Sequence, residues 1–336
     1  MQANIKSKCN QVGFQQINQF LQELSQDEIT LLLNIIDRLS VFSKKDKQQQ
    51  ILSRKDEVIL CDKQTISKFF NSLGIHCRLF RFTKRSLCEA TSLEQAMATV
   101  KIMSHFFKDT SECTIVEARA GIGGNTQAFI SAFKILHIIE YDISTFAMLK
   151  NNLNILLAER EQYLKKFHTL KKTQYIPYMP TIHLYNKNIL TILPLIVKKQ
   201  SIDVIFFDPP WGGIQYKYQN SVNLVYQTQF KEVDLSQLII LIKNYIKLIV
   251  IKAPYNLNHT FMKTMRQHFT YTKIINFAPV YNIICLSHTP PYHNYPQSLP
   301  VHRIGYKSIT YKNAIDVYPN ECEYPFLDRL DIQKKD

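Results

Sequence analysis

Glycine is scarce in this chain, with eight in 336 residues, and tryptophan occurs once. Scarcity makes position informative, because a glycine kept in a glycine-poor protein marks backbone that needs positive φ or a ligand's close approach. Paired cysteines are also missing. The seven cysteines (Cys9, Cys61, Cys77, Cys88, Cys113, Cys285, Cys322) are odd in number and never spaced C-x-x-C. That pattern excludes a disulfide framework, points to reduced thiols in an intracellular protein, and argues against a zinc site. His76-Cys77 is the nearest approach to a ligand pair and has no second pair, so no metal is expected. The start, Met1-Gln2-Ala3-Asn4-Ile5-Lys6, lacks the apolar core of a signal peptide. The most apolar stretch, Leu238 to Ile251, is broken by Lys243 and Lys247 and is too short to span a bilayer. The expectation is a soluble protein with no membrane partner.

Acidic residues are the minority, 27 against 41 Lys and Arg, which gives a net charge of +14 and a pI near 9.3. Charge of that sign favours a polyanionic partner, nucleic acid first. A composition rich in Lys, Asn, Ile and Tyr is a second source for it. The length holds one α/β domain of about 200 residues plus a smaller one. Residues 1–75 show helical spacing: Phe14, Ile17, Leu21 and Leu24 share one face, as do Ile29, Leu32, Ile36 and Leu39. Thr65 caps a further helix carrying Ile66, Phe69, Phe70 and Leu73, which stops at Gly74. This reads as a helical N-terminal module, with residues 76–110 as a linking extension.

Over residues 111–290 short apolar runs alternate with helices. Strands are expected at Thr114–Val116, His137–Tyr141, Ile182–Tyr185, Asp203–Phe207, Ile246–Ile251, Lys273–Phe277 and Tyr281–Leu286. Helices are expected at Asn125–Phe133 and, capped by Ser144, through Leu157. The alternation predicts an α/β fold, a Rossmann-like parallel sheet closed by a hairpin around Ala278-Pro279. Residues 291–336 begin in a proline-rich segment and read as an extended tail.

Five of the eight glycines fall in two segments. Glu117-Ala118-Arg119-Ala120-Gly121-Ile122-Gly123-Gly124-Asn125-Thr126 follows a strand and opens a helix, as a nucleotide-binding turn does. Glu140 and Asp142 end the next strand, about twenty residues on, where an acid holds the ribose hydroxyls of a nucleoside. The second segment, Asp208-Pro209-Pro210-Trp211-Gly212-Gly213, closes another strand. An exocyclic amine such as guanine N2 or adenine N6 is a poor nucleophile, because its lone pair is delocalised into the ring. A carboxylate or carbonyl that accepts its hydrogens favours pyramidal geometry and aims the lone pair. Two prolines stiffen the backbone at that spot. Trp211, beside two glycines, offers a face for a base, and a cationic base gains about 0.5–2 kcal/mol more.

Gly121-Ile122-Gly123-Gly124-Asn125-Thr126-Gln127-Ala128-Phe129 and Pro209-Pro210-Trp211-Gly212-Gly213 resemble the signature segments of trimethylguanosine synthases, which methylate N2 of an RNA 7-methylguanosine cap. Glu140-Tyr141-Asp142 with Asn151-Asn152, Lys252-Ala253-Pro254-Tyr255-Asn256, and Leu79-Phe80-Arg81-Phe82 with Ala90-Thr91-Ser92-Leu93-Glu94 resemble further family segments in the same order. The resemblance covers roughly residues 78–290. It implies a class I methyltransferase using S-adenosylmethionine, with capped RNA as partner. Implied cofactor-binding residues are Glu117, Gly121, Gly123, Asn125, Thr126, Glu140 on the ribose, Asn188 near the adenine, and Asp208. Implied catalytic residues are Asp208, Pro209, Pro210 and Trp211. Trp211, Gly212, Asn256 and Phe82 would meet the substrate. Lys165, Lys166, Lys171, Lys172, Lys198 and Lys199 would take phosphates, and the N-terminal helices would meet RNA or a protein partner.

Four residues depart from the family pattern, among them Asn188, which stands where an acid commonly meets the cofactor's adenine amine. Asp208 stands where serine is usual, as in many N6-adenine methyltransferases. Glu117 replaces aspartate, and Arg119 replaces an aromatic residue. Two alternatives therefore accompany the reading, an N6-adenine methyltransferase of DNA or RNA and a catalytically silent RNA-binding subunit of the same fold.

Overall fold

The computed structural model describes residues 79–170, 178–227, 232–277 and 281–292. The expected helical module of residues 1–75, the tail from 293, Lys171 and Lys172, and the Ala278-Pro279 turn lie outside the described residues. Two helices precede the sheet, α1 (Lys84–Glu89) and α2 (Leu93–Ser104). Each begins in a reciprocal cap, Thr83 with Ser86 and Ser92 with Gln95, which satisfies amide groups a helix start leaves unpaired. Then follow β1 (Thr114–Ala118), α3 (Thr126–Ala132), β2 (Ile135–Ile139), α4 (Ile143–Leu170) and β3 (Thr181–Tyr185). After them come α5 (Ile189–Lys199), β4 (Ile202–Phe207) and a 3-10 helix (Gly213–Tyr218). A short hairpin, β5 (Val225–Gln227) and β6 (Glu232–Asp234), leads into α6 (Leu235–Ile242). The described chain closes with β7 (Ile246–Pro254), α7 (His259–His268), β8 (Tyr271–Phe277) and β9 (Tyr281–Ser287).

Seven strands form one sheet in the order β3-β2-β1-β4-β7-β9-β8, parallel except for β9, which runs antiparallel to both its neighbours. Strands buried on both faces carry continuous apolar runs, and alternation assigns each residue to a layer. Ile115, Leu136, Ile138, Val204, Phe206, Leu248 and Val250 pack with residues of α2, α3 and α4. Val116, Ile139, Ile205, Phe207, Ile249 and Ile251 pack on the other face with α5, α6 and α7. The result is a three-layer α/β/α sandwich of the class I, Rossmann-like kind. Phe80, Phe82, Ala96, Val100 and Met103, from the expected extension, share the first of these cores.

Several boundaries differ from expectation. β2 ends at Ile139 instead of Tyr141: the Glu140 amide still donates to the Tyr185 carbonyl at 3.0 Å, and the chain then turns into α4. Asp142, not Ser144, caps α4: its Oδ1 accepts from the Thr145 amide at 2.8 Å. α4 also runs to Leu170, well past Leu157. β7 continues past Ile251 to Pro254, because β9 carries the ladder to the Pro254–Tyr281 pair.

Candidate active site

The sheet order turns back between β1 and β4, whose C-terminal ends lie level, Ala118 beside Phe207. Crevices outside such a switch point bind ligands in open α/β sheets. Both glycine segments emerge there. In the first, Arg119, Gly121 and Gly123 all adopt positive φ (67°, 60° and 100°), which coils the backbone into a tight turn before α3. Glu140 reaches back from the end of β2, its two oxygens accepting the amides of Gly121 at 2.9 Å and Asp142 at 3.0 Å. Burial raises its carboxyl above the usual carboxylate range, with Arg119 opposing the rise. The expected ribose ligand is thus already a brace of the turn, with lone pairs left over.

Glu117 is buried beneath the turn. Its Oε2 accepts from the Thr126 hydroxyl at 2.6 Å, while Oε1 has no partner among the described residues. Burial pushes this carboxyl up to about 8, the Thr126 bond opposes that, and Asp208 and Glu140 add to it. Asn125 spans the two segments, its Nδ2 donating to Asp208 Oδ2 at 3.4 Å, and its buried Oδ1 is also unpartnered among the described residues. Gly124 has a different role. A Cβ there would lie 2.6 Å from the Thr91 carbonyl oxygen, so the loop is pressed against the start of α2.

Asp208 follows β4 directly, and beside it stands a residue to which sequence reasoning gave no role. Lys252 lies one step past the Phe207–Ile251 pair of β4 and β7. Its side chain is 8% exposed, and its Nζ donates to Asp208 Oδ2 at 3.1 Å and to Thr91 Oγ1 at 2.7 Å. Thr91 Oγ1 in turn donates to the same Oδ2 at 3.5 Å. Oδ2 is therefore surrounded by Lys252, Thr91 and Asn125, whereas Oδ1 has no hydrogen bond among the described residues. One signal was legible: Lys252 is the one charged residue in the otherwise apolar run Leu248–Pro254.

Trp211 is partly buried. Its Nε1 donates to the Lys252 carbonyl at 3.3 Å, Tyr216 meets it edge-on at 5.1 Å, and the Lys252 ammonium lies 5.6 Å from its ring centre. Gly212 sits at φ 90°, and a Cβ there would meet nothing within 4 Å beyond its chain neighbours.

Other expected residues land elsewhere. Phe82 is 1% exposed and packed in the core, so its ring has no surface to offer a substrate. Asn256 uses its Nδ2 to hold the carbonyls of Tyr216 and Gln219 at 2.8 and 2.7 Å, which clamps the 3-10 helix after the tryptophan. Asn188 caps α5, with Oδ1 accepting from the Leu190 amide at 2.9 Å. Lys198 and Lys199 lie in the last turn of α5. The side chains of Lys165 and Lys166 are outside the description. Among the described residues no cluster of His, Cys, Asp or Glu could hold a metal ion, and no helix is long and apolar enough to cross a membrane.

A nucleoside cofactor carrying ammonium and sulfonium cations needs acceptors without partners. Buried acceptors left unpaired cost about 1–3 kcal/mol each. Glu117 Oε1 and Asn125 Oδ1 are two such atoms at the turn, and the space over Gly121 is open. The residues present therefore fit S-adenosylmethionine.

Comparison with known proteins agrees with this chemistry. Residues 112–278 match the model of a family described as RNA cap guanine-N2 methyltransferase. Uncharacterized protein L320 of Acanthamoeba polyphaga mimivirus is 29% identical over 161 residues, covering 47% of this chain and 53% of that protein. The chain thus spans about half the length of this curated relative. Among solved structures, the rRNA methyltransferase aviRa from Streptomyces viridochromogenes is similar at 9% identity, covering 68% of this chain and 93% of that one, with a TM-score of 0.43. The precorrin-6y C5,15-methyltransferase from Geobacter metallireducens GS-15 is similar at 12% identity, covering 65% and 100%, with a TM-score of 0.39.

Proposed function

With residues 112–278 belonging to the RNA cap guanine-N2 methyltransferase family, we propose that this chain transfers a methyl group to the exocyclic N2 amine of a 7-methylguanosine RNA cap. The observation that carries the reading is Asp208, whose Oδ1 has no hydrogen bond among the described residues, at the switch point between the glycine turn and Trp211. S-adenosylmethionine supplies the methyl group from its sulfonium. Glu117, Asn125 and the Gly121–Gly123 turn would hold its amino-acid end and Glu140 its ribose, with Asn188, whose Oδ1 already accepts from the Leu190 amide, toward its adenine. Asp208 Oδ1 and the Pro209 carbonyl accept the amine hydrogens and aim the nitrogen lone pair in line with the methyl. Trp211 stacks on the base. Loss of the methyl would leave the cofactor's sulfur neutral, so alignment by Asp208 and Trp211 would contribute more than a strong base, and the surplus amine proton would leave to water.

Asp208-Pro209-Pro210-Trp211 favours one second reading, transfer to adenine N6. Labelled-methyl transfer separates the two: 7-methylguanosine diphosphate should accept label and an uncapped adenine-containing oligonucleotide should not. Label on the oligonucleotide alone would replace the cap reading with the adenine one. Label on neither would leave the silent-subunit reading. Trp211 is the only indole, so its fluorescence reports base binding. Quenching should be stronger with 7-methylguanosine than with guanosine nucleotides; equal quenching would remove the cation–π contribution.

A further inference from the structure

Asp208 cannot serve a substrate amine with both oxygens engaged, and the structure engages only one. Lys252, Thr91 and Asn125 converge on Oδ2 from three different segments, at 3.1, 3.5 and 3.4 Å. Among them Lys252 alone carries charge. Its stem is buried, its ammonium is also fixed by Thr91 at 2.7 Å, and it lies 5.6 Å from the centre of the Trp211 ring and 5.4 Å from that of Tyr281. An ammonium is a point charge that pairs with one carboxylate oxygen, whereas a guanidinium fork takes both. A buried ion pair adds little to stability against an apolar pair of the same size. Its persistence at this position therefore calls for a role in geometry.

We infer that Lys252 is the positioning residue of the site: it holds Asp208 by Oδ2 so that Oδ1 faces the exocyclic amine of the substrate base. The inference rests on the proposed reading, in which Asp208 meets that amine. It also accounts for the departure from the family's usual serine. A hydroxyl presents one acceptor atom without help, while a carboxylate needs its second oxygen occupied before it presents one in a fixed direction.

Two variants separate geometry from charge. Lys252→Arg keeps the charge and offers a fork that captures both oxygens; Lys252→Met keeps the length and removes the charge. The first readout is binding, followed by Trp211 fluorescence with 7-methylguanosine diphosphate and with 7-methylinosine diphosphate, which lacks the amine. Wild-type protein should prefer the guanosine form about tenfold, the worth of one hydrogen bond to a charged acceptor. Both variants should lose that preference while binding the inosine form as wild type does.

The second readout is turnover. Lys252→Arg should lower kcat about 100-fold, the cost of misplacing a reacting group, with KM for the cofactor unchanged. Asp208→Ser combined with Lys252→Met should recover part of the kcat that Lys252→Met loses. A merely structural lysine would give variants with lower melting temperatures and an undisturbed guanosine preference. A preserved preference in Lys252→Arg overturns the inference, and should Lys252→Met not fold, the Arg variant decides alone. Absence of methyl transfer by wild-type protein overturns the cap reading instead, and the binding preference still reports on Lys252.

Discussion

Glu117 stands in surroundings that do not hold a charged carboxylate at neutral pH. Its folded value of about 8 lies above the ordinary carboxylate range near 4.5. Below about pH 4.5 both folded and unfolded chains keep the proton, and the group costs nothing. Between 4.5 and 8 the unfolded chain has released its proton and the folded one has not, so stability falls as pH rises across that window. Glu117→Gln removes the titration and should melt higher than wild type at pH 8, by on the order of 1–3 kcal/mol. The gap should close as the pH approaches 4.5; a gap that ignores pH would mean the carboxyl is not raised. Asp208 gives a second expectation. Asp208→Ala leaves the buried Lys252 ammonium without its carboxylate and should cost roughly 3 kcal/mol of stability. Turnover should fall further in Asp208→Ala than in Asp208→Asn, which keeps an acceptor, with cofactor affinity little changed in either. Wild-type turnover in the Ala variant would show that other groups hold the amine. At this scale the sequence told which residues carry unusual chemistry and not what they face. Asp208, Trp211 and the glycines declared themselves by type and spacing. Lys252 and Thr91 did not, because their role is a contact across 161 residues of chain.

Strands were legible where an apolar run was long, but of the described helices only α3 and α4 were read; α1, α2, α5, α6 and α7 were not. β1, β4 and β7 carried continuous apolar runs, and all were found. The β5–β6 hairpin was not, since three residues per strand leave no period to read. The β2 boundary was misplaced because the helix that follows begins at Ile143, two residues past the expected strand end. The packing between elements yields two expectations. Gly124→Ala would force a Cβ to 2.6 Å from the Thr91 carbonyl, backbone against backbone, so α2 or the loop must shift. A loss of about 1–3 kcal/mol in thermal unfolding, with weaker cofactor binding, should follow. Gly212→Ala meets only open space but sits at φ 90°, and should cost about 1 kcal/mol from backbone strain alone. The second expectation concerns Asn152, fully buried on α4. It accepts from the Arg81 amide at 2.8 Å and donates to the carbonyls of Arg81 and Ile122 at 2.9 and 3.0 Å, stitching the leading segment to the cofactor turn. Asn152→Leu keeps the branched shape and strands three backbone groups, so it should lose about 2–4 kcal/mol in denaturant unfolding. A loss under half a kcal/mol would mean that water reaches those groups.

For the whole molecule, a charge of +14 exceeds what a cap dinucleotide with its few phosphates engages. If the surface follows RNA beyond the cap, a capped RNA of about ten nucleotides should bind more tightly than free cap. Its log affinity should fall with log salt by about 0.7 per phosphate contact. Removing residues 1–75 should flatten that slope and leave cofactor binding intact. Equal slopes for RNA and free cap would assign the charge to composition. One further consequence follows from the bonds around Asp208 Oδ2. Thr91 is joined there to residues 117 and 161 positions later in the chain. During synthesis the α2 cap emerges long before β7, so a nascent chain ending short of Lys252 carries the glycine turn and Asp208 but no assembled centre. Closing so long a loop is a late event, since its entropy is lost before the contact is gained. Competence for chemistry at this site thereby waits on the arrival of β7, and chains that end before it lack the assembled centre.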